Sequence, residues 1–186
     1  MSVIMYRLKE NGRAGVILPD GFLFGTDNAK INIKKKLLNE FNLHTIIRMP
    51  SSVFSPYTSI TTNILFFDNT GETRETWVYR LDMPEGYKNF SKTKPMKLDH
   101  FEPVISWWQN RVEITEDGFD KAKKFTREEL EEKYAYNLDL CGYPHEEEII
   151  LPPHDLIQQY QEERASLNAE IDRVLKEIEN LLGGKI

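Results

Sequence analysis

Two short apolar runs, each closed by a proline and separated by one amphipathic segment, constrain this chain more than any other feature. Ala14–Leu18 reads Ala-Gly-Val-Ile-Leu and stops at Pro19; His44–Met49 reads His-Thr-Ile-Ile-Arg-Met and stops at Pro50. A short unbroken apolar run between turn signals fits a strand buried on both faces, as in a parallel sheet. Between them, Asp27 or Asn28 can cap a helix that ends near Phe41, with Ile31, Ile33, Leu37, Leu38 and Phe41 as its apolar stripe. Strand, helix, strand is the pattern of a crossover unit, so the fold class is α/β.

The next segments add antiparallel strands. Ser51 to Tyr57 is a loop carrying exposed aromatics, and Thr61 to Phe67 is rich in β-formers. A turn at Asn69-Thr70-Gly71-Glu72 leads into Thr76–Leu81, which alternates as a further strand. So short a connection predicts that these two strands are antiparallel neighbours. Residues 84–97 hold two prolines, one glycine and four lysines, and read as an ordered surface loop. Asp99 to Asn110 predicts a short helix, and Thr126 with Glu129 makes a capping box for another.

From Pro153 onward the chain changes in kind. No proline follows, and no glycine until Gly183-Gly184, a helix stop. Ile157, Arg164, Ile171 and Ile178 at heptad position a place Tyr160, Leu167, Val174 and Leu181 at d. A helix of about 30 residues is ~45 Å long. It either packs back on its own domain or takes a partner helix, and its length favours the partner. The expected organisation is a catalytic-type α/β part over 1–97, a helical and extended connecting region over 98–152, and a coiled-coil-like helix over 153–183.

Composition removes several function classes. No apolar run reaches the roughly 20 residues of a membrane span, and no basic-then-apolar signal opens the chain. One cysteine, Cys141, cannot build a disulfide framework or a cysteine-rich zinc site. The expected compartment is the cytoplasm. A net charge of −6 announces no nucleic-acid partner, yet the lysines are clustered. Lys30, Lys34, Lys35 and Lys36 form one group; Lys88, Lys92, Lys94 and Lys97 form a second with no acid among them. Each is either solvated surface or a local face for phosphates.

No self-contained active site is found. The chain has no Walker loop, no dinucleotide-binding glycine pattern, no nucleophile elbow, and no histidine pair at metal-ligand spacing. No residue is assigned as catalytic and none as a metal ligand.

The order of these segments is informative in another way. The run Ala14–Phe24, the basic helix, Ile46–Pro50, then Val53-Phe54-Ser55-Pro56-Tyr57-Thr58 and Thr62–Phe67 resembles the later half of an amino-methylating DNA adenine methyltransferase. The modification subunit of type I restriction-modification systems is the nearest likeness, over roughly residues 8–110. The resemblance implies the end of a Rossmann-like sheet, with Ala14–Leu18 as the fifth strand, His44–Met49 as the sixth, and Asn63–Phe67 as an antiparallel seventh. It also implies that the loop before the seventh strand supplies an aromatic ring for the extruded adenine. The matching residue is Phe54, with Tyr57 next; the alternative is that Phe54 plugs the core beneath the loop. Neither the family's Asn-Pro-Pro-aromatic tetrapeptide nor its glycine-rich donor loop occurs in this sequence. The expectation is therefore a carboxy-terminal part that does not bind S-adenosylmethionine, the cofactor of the full-length family, and is inactive alone.

On that resemblance, Lys88, Lys92, Lys94 and Lys97 contact the DNA backbone. Ile157, Tyr160, Leu167, Ile171, Val174, Ile178 and Leu181 meet helices of a specificity subunit, with the restriction subunit as a further partner. A second reading makes the chain a non-catalytic interaction module that dimerises through its last helix. In either case the fifth strand leaves one sheet edge unpaired, which predicts self-association.

Overall fold

The computed structural model describes residues 1–143 and 153–181. Residues 1–144 make one compact unit and 145–186 a second. The anticipated Gly183-Gly184 stop lies outside the described residues.

The first unit is built on a six-stranded mixed sheet. After the short helix α1 (Ser2–Arg7) come β1 (Arg13–Pro19), the single-turn helix α2 (Asp20–Leu23), α3 (Asn28–Glu40) and β2 (Asn42–Arg48). Then follow β3 (Thr62–Asp68), β4 (Glu75–Arg80), a 3₁₀ turn leading into α4 (Glu102–Gln109), β5 (Ile114–Glu116) and β6 (Phe119–Thr126). The strand order is β1-β3-β2-β4-β6-β5. β3 pairs antiparallel with β1 on one side and with β2 on the other, whereas β4 pairs parallel with β2. β1 and β2 therefore point the same way, joined by α3, with the antiparallel strand inserted between them. Asp27 is the residue that caps α3, accepting from the Lys30 amide at 3.0 Å.

Three expectations need correction. β3 and β4 are not neighbours, because both edges of β3 are already taken. The connection instead steps across β2, a shift of about two strand spacings, or ~10 Å, which six residues span easily. Buried Thr73 and Thr76 hold that crossing: Thr73 Oγ1 donates to Phe41 O at 2.7 Å and accepts from Leu43 N at 2.8 Å, and Thr76 Oγ1 donates to Leu43 O at 2.7 Å. Secondly, β1 is not buried on both faces. It is an edge strand with Ile17 half exposed, and β2 takes the central position. Thirdly, residues beyond 98 do not merely connect. β5 and β6 complete the same sheet as a hairpin closed by Asp117 and Gly118, both at positive φ. Such a turn matches the twist of the strands it joins.

Two apolar layers cover the sheet. On one face Leu37 and Leu38 of α3 pack with Leu43, Ile46, Leu65, Phe67, Leu130 and Leu138. On the other, Val104 and Trp107 of α4 cover Ile47, Tyr79, Leu81 and Ala122. The expected capping box is present, with Thr126 N donating to Glu129 Oε2 at 2.8 Å and Glu129 N to Thr126 Oγ1 at 3.2 Å. It opens only a short π-helical turn, Glu129–Lys133.

The second unit is described by one helix, α5 (Pro153–Leu181), of 29 residues. The seven apolar residues expected to meet a partner all lie within it, and at heptad spacing they share one face. No described helix is long and apolar enough to cross a membrane.

Candidate DNA-facing site at the carboxyl edge of the sheet

In an open α/β sheet, ligands gather outside the carboxyl ends of the parallel strands. Here that edge is formed by the ends of β1, β2 and β4 and by the start of β3. Side chains at it form a polar network around two buried arginines. Arg48, 4% exposed, donates through Nη1 to Leu140 O at 3.0 Å and pairs with Asp139; its Nη2 lies 3.5 Å from Asp20 Oδ1. Asn63, fully buried, donates to the same Asp20 oxygen at 2.6 Å. Directly opposite in the parallel pair, Arg80 sits beside Arg48, donating to Asp82 at 2.7 Å and to Gly142 O at 2.9 Å. Tyr143 closes over it, donating to Leu81 O at 2.6 Å, and burial pushes its phenol well above the usual range.

The network has a structural consequence. Two buried guanidinium groups clamp the backbone of residues 140–142 against the tips of β2 and β4. Sequence reading missed both arginines, since nothing local marks an arginine in an apolar strand as a tether to residues sixty or ninety positions away. Three buried polar atoms in or beside the network, Arg48 Nε, Thr62 Oγ1 and Asn63 Oδ1, have no hydrogen-bond partner among the described residues.

Two loops rise from this edge. The first, residues 50–61, carries Phe54, 37% exposed, and Tyr57, 92% exposed. It is folded by successive turns, with Ser55 N donating to Ser52 O and Tyr57 N to Phe54 O, both at 2.9 Å. The second, residues 84–97, is anchored by Phe90, which is buried and stacks with Tyr87 and His100. Phe90 N donates to Ser52 Oγ at 2.8 Å, so one hydrogen bond joins the middle of the second loop to the start of the first. Lys88, Lys92, Lys94 and Lys97 are all exposed, and Lys94 lies 5.5 Å from the Tyr87 ring.

The other lysine group divides. Lys34 is not on the surface at all; it is 1% exposed and its Nζ donates to Leu23 O and Gly25 O, each at 2.9 Å. It satisfies carbonyls at the end of α2, and burial lowers its pKa. Lys30, Lys35 and Lys36 remain at the surface of α3. Cys141 lies against the arginine clamp, where burial pushes its thiol up to about 12. Among the described residues no three His, Cys, Asp or Glu side chains gather as metal ligands.

Comparison with known proteins fits this geometry. A family model described as N-6 DNA Methylase matches residues 1–150. The chain is 40% identical over its whole length to the methylase subunit of the type I restriction enzyme EcoEI of Escherichia coli, of which it covers 37%. Against the EcoKI methylase subunit of Escherichia coli K12 the identity is 33% over 116 residues, 55% of this chain and 20% of that one. Among solved structures, the modification subunit of a putative type I restriction enzyme from Vibrio vulnificus superposes with a TM-score of 0.63 at 42% identity, over 69% of this chain and 27% of that one. A chain from a structural study of type I R-M assembly superposes with a TM-score of 0.61 at 28% identity, over 95% and 38%. The chain thus spans little more than a third of the first of these relatives.

Proposed function

Given that the chain belongs to the N-6 DNA methylase family, as a relative of type I methylase subunits, we propose that it forms one wall of a DNA cleft at the carboxyl edge of its sheet. Methylating an adenine amino group requires the base outside the duplex. Phe54 offers a ring for that base, with Tyr57 as the second, and a base–aromatic stack contributes about 1–3 kcal/mol. Lys88, Lys92, Lys94 and Lys97 contact phosphates, which positions DNA without reading its sequence.

The observation that carries this reading is the Ser52–Phe90 hydrogen bond. It sets the aromatic loop and the lysine loop side by side on one edge, although they are some forty residues apart in sequence. A methyl donor, which supplies the transferred group, does not fit the described residues of this edge. Asp20, Asp82 and Asp139 are each held by Arg48, Arg80 or Lys121, and a Cβ at Gly25 would meet the Lys30 side chain and the Gly21 carbonyl rather than open space.

The α5 face bearing Ile157, Tyr160, Leu167, Ile171, Val174, Ile178 and Leu181 docks with helices of a specificity subunit, and the assembly extends to a restriction subunit. The open edge of β1 pairs with a second copy when the chain is alone. The test is binding of a labelled DNA duplex across a salt series. Four phosphate contacts predict a slope of log K against log salt near about −3.6. Replacing all four lysines with Gln flattens the slope, while Phe54→Ala weakens binding with the slope retained. A chain that binds no DNA but dimerises through α5 refutes the cleft and leaves an interaction module.

A further inference from the structure

A second concave region lies at the opposite, amino edge of the sheet, away from both loops. Its cleft, about 750 Å³, is lined by Asn42 and His44 of β2, Trp77 of β4, Arg74 and Arg111. A neighbouring hollow of about 520 Å³ shares His44 and Arg111 and adds Arg13. The first volume is that of an ordinary small-ligand site.

The charges here are unevenly matched. Glu72 is taken by Arg127, Glu75 lies 3.2 Å from Lys124, and Asp68 accepts from Asn42 at 3.2 Å and from Thr70. Among the described residues Arg13, Arg74 and Arg111 pair with no carboxylate. The two acids lining the cleft, Glu72 and Glu75, are thus paired, and Asp68 in the neighbouring hollow also lies 4.0 Å from His44, while among the described residues Arg74 and Arg111 in the cleft and Arg13 beside it keep free donors. Arg111 is held in place by the Trp108 ring, 4.4 Å from its guanidinium carbon, and makes one long bond, 3.4 Å, to His44 O. Burial lowers the pKa of Arg111, and burial together with Arg111 lowers that of His44. Of the two, the Arg111 cation is the one left short of the solvation that an anion restores.

The geometry points to a phosphate site in this cleft, sized for a nucleoside monophosphate, with the phosphate on Arg111 and Arg74 and the base against the half-buried Trp77. A fixed planar fork beside an aromatic wall is the arrangement that recognises phosphate bidentately and a base by its face. The same chemistry is offered by a free nucleotide and by a phosphate in a nucleic acid strand.

The probe is adenosine 5′-monophosphate, titrated into the full chain and followed by calorimetry and by tryptophan fluorescence, since Trp77 lines the cleft and Trp108 carries Arg111. Saturable binding is expected, displaced by inorganic phosphate. Arg111→Gln weakens it about tenfold or more, the loss of one charge-assisted hydrogen bond. Because Arg111 also packs on Trp108, the exposed Arg74→Gln serves as the second variant and weakens binding without disturbing a core contact. A short single-stranded oligonucleotide that competes assigns the phosphate to a strand; one that does not compete assigns it to the free nucleotide. No saturable response, binding equal in both variants and wild type, or adenosine binding as well as its monophosphate overturns the site.

Discussion

Replacing Arg48 by Met keeps most of the stem that fills the end of β2 and removes the guanidinium. What is lost is a hydrogen bond to Leu140 O at 3.0 Å, the pairing with Asp139 and a long contact to Asp20. A hydrogen bond to a charged group contributes about 1.5–3 kcal/mol. Asp139 and Asp20 are 34% and 26% exposed, so once freed they regain part of their hydration, and the Asp20 contact at 3.5 Å adds little. Leu140 O loses its partner, whereas the desolvation cost of the guanidinium itself is recovered. The net expectation is a loss of about 2–3 kcal/mol. With a urea m-value of about 2 kcal/mol/M for a chain of this size, the unfolding midpoint drops by roughly 1–1.5 M. Asp139→Asn alone costs less, and the double variant is less destabilised than the sum, with a coupling of about 1 kcal/mol. The assay is urea unfolding of the four proteins, followed by circular dichroism. A midpoint shift in Arg48→Met below about 0.3 M, or strict additivity with Asp139→Asn, refutes the clamp as the tie between residues 139–142 and the sheet.

Two further outcomes are expected. Ile17→Lys, which places a charge on the exposed face of the open edge strand, reduces self-association in sedimentation velocity and leaves the circular dichroism spectrum unchanged; equal association of both proteins removes β1 as the contact. The pKa of His44 is lowered by burial first and then by Arg111, against the opposing pull of Asp68. Its folded value therefore lies below its unfolded one. Its contribution to stability is complete above the unfolded pKa of about 6.5 and is lost as the pH falls through the lower folded value. The urea midpoint of the wild type should fall more than that of His44→Gln between about pH 7.5 and pH 5.5, and equal falls refute the assignment.

Much of the architecture is legible along the chain. The two apolar runs and the stripe between them specify β1, α3 and β2, and Asp27 and the Thr126–Glu129 pair act as caps, because these signals are local. The aromatic loop is legible for the same reason, since Pro50, Ser51, Ser52 and Pro56 break any regular element across it. Other features resist such reading. The short link between β3 and β4 was expected to make a hairpin, but loop length bounds only how far apart two strands lie, and the slot beside β3 was already filled. β6 is largely polar, Phe-Asp-Lys-Ala-Lys-Lys-Phe-Thr, so periodicity hid it even though Asp117-Gly118 is a strong turn signal.

Local chemistry alone determined which segments of this protein become strands, helices and loops, since propensity, capping and proline act within a few residues. Only tertiary packing decided which strand lies beside which, that Lys34 turns inward to two carbonyls, and that Arg48 and Arg80 reach across the edge to residues 139–142. It also decided that the loops bearing Phe54 and Lys88–Lys97 meet, through one hydrogen bond between Ser52 and Phe90. Each of these depends on partners far away in sequence, where the cost of burying a charge or a backbone group selects the only geometry that satisfies it.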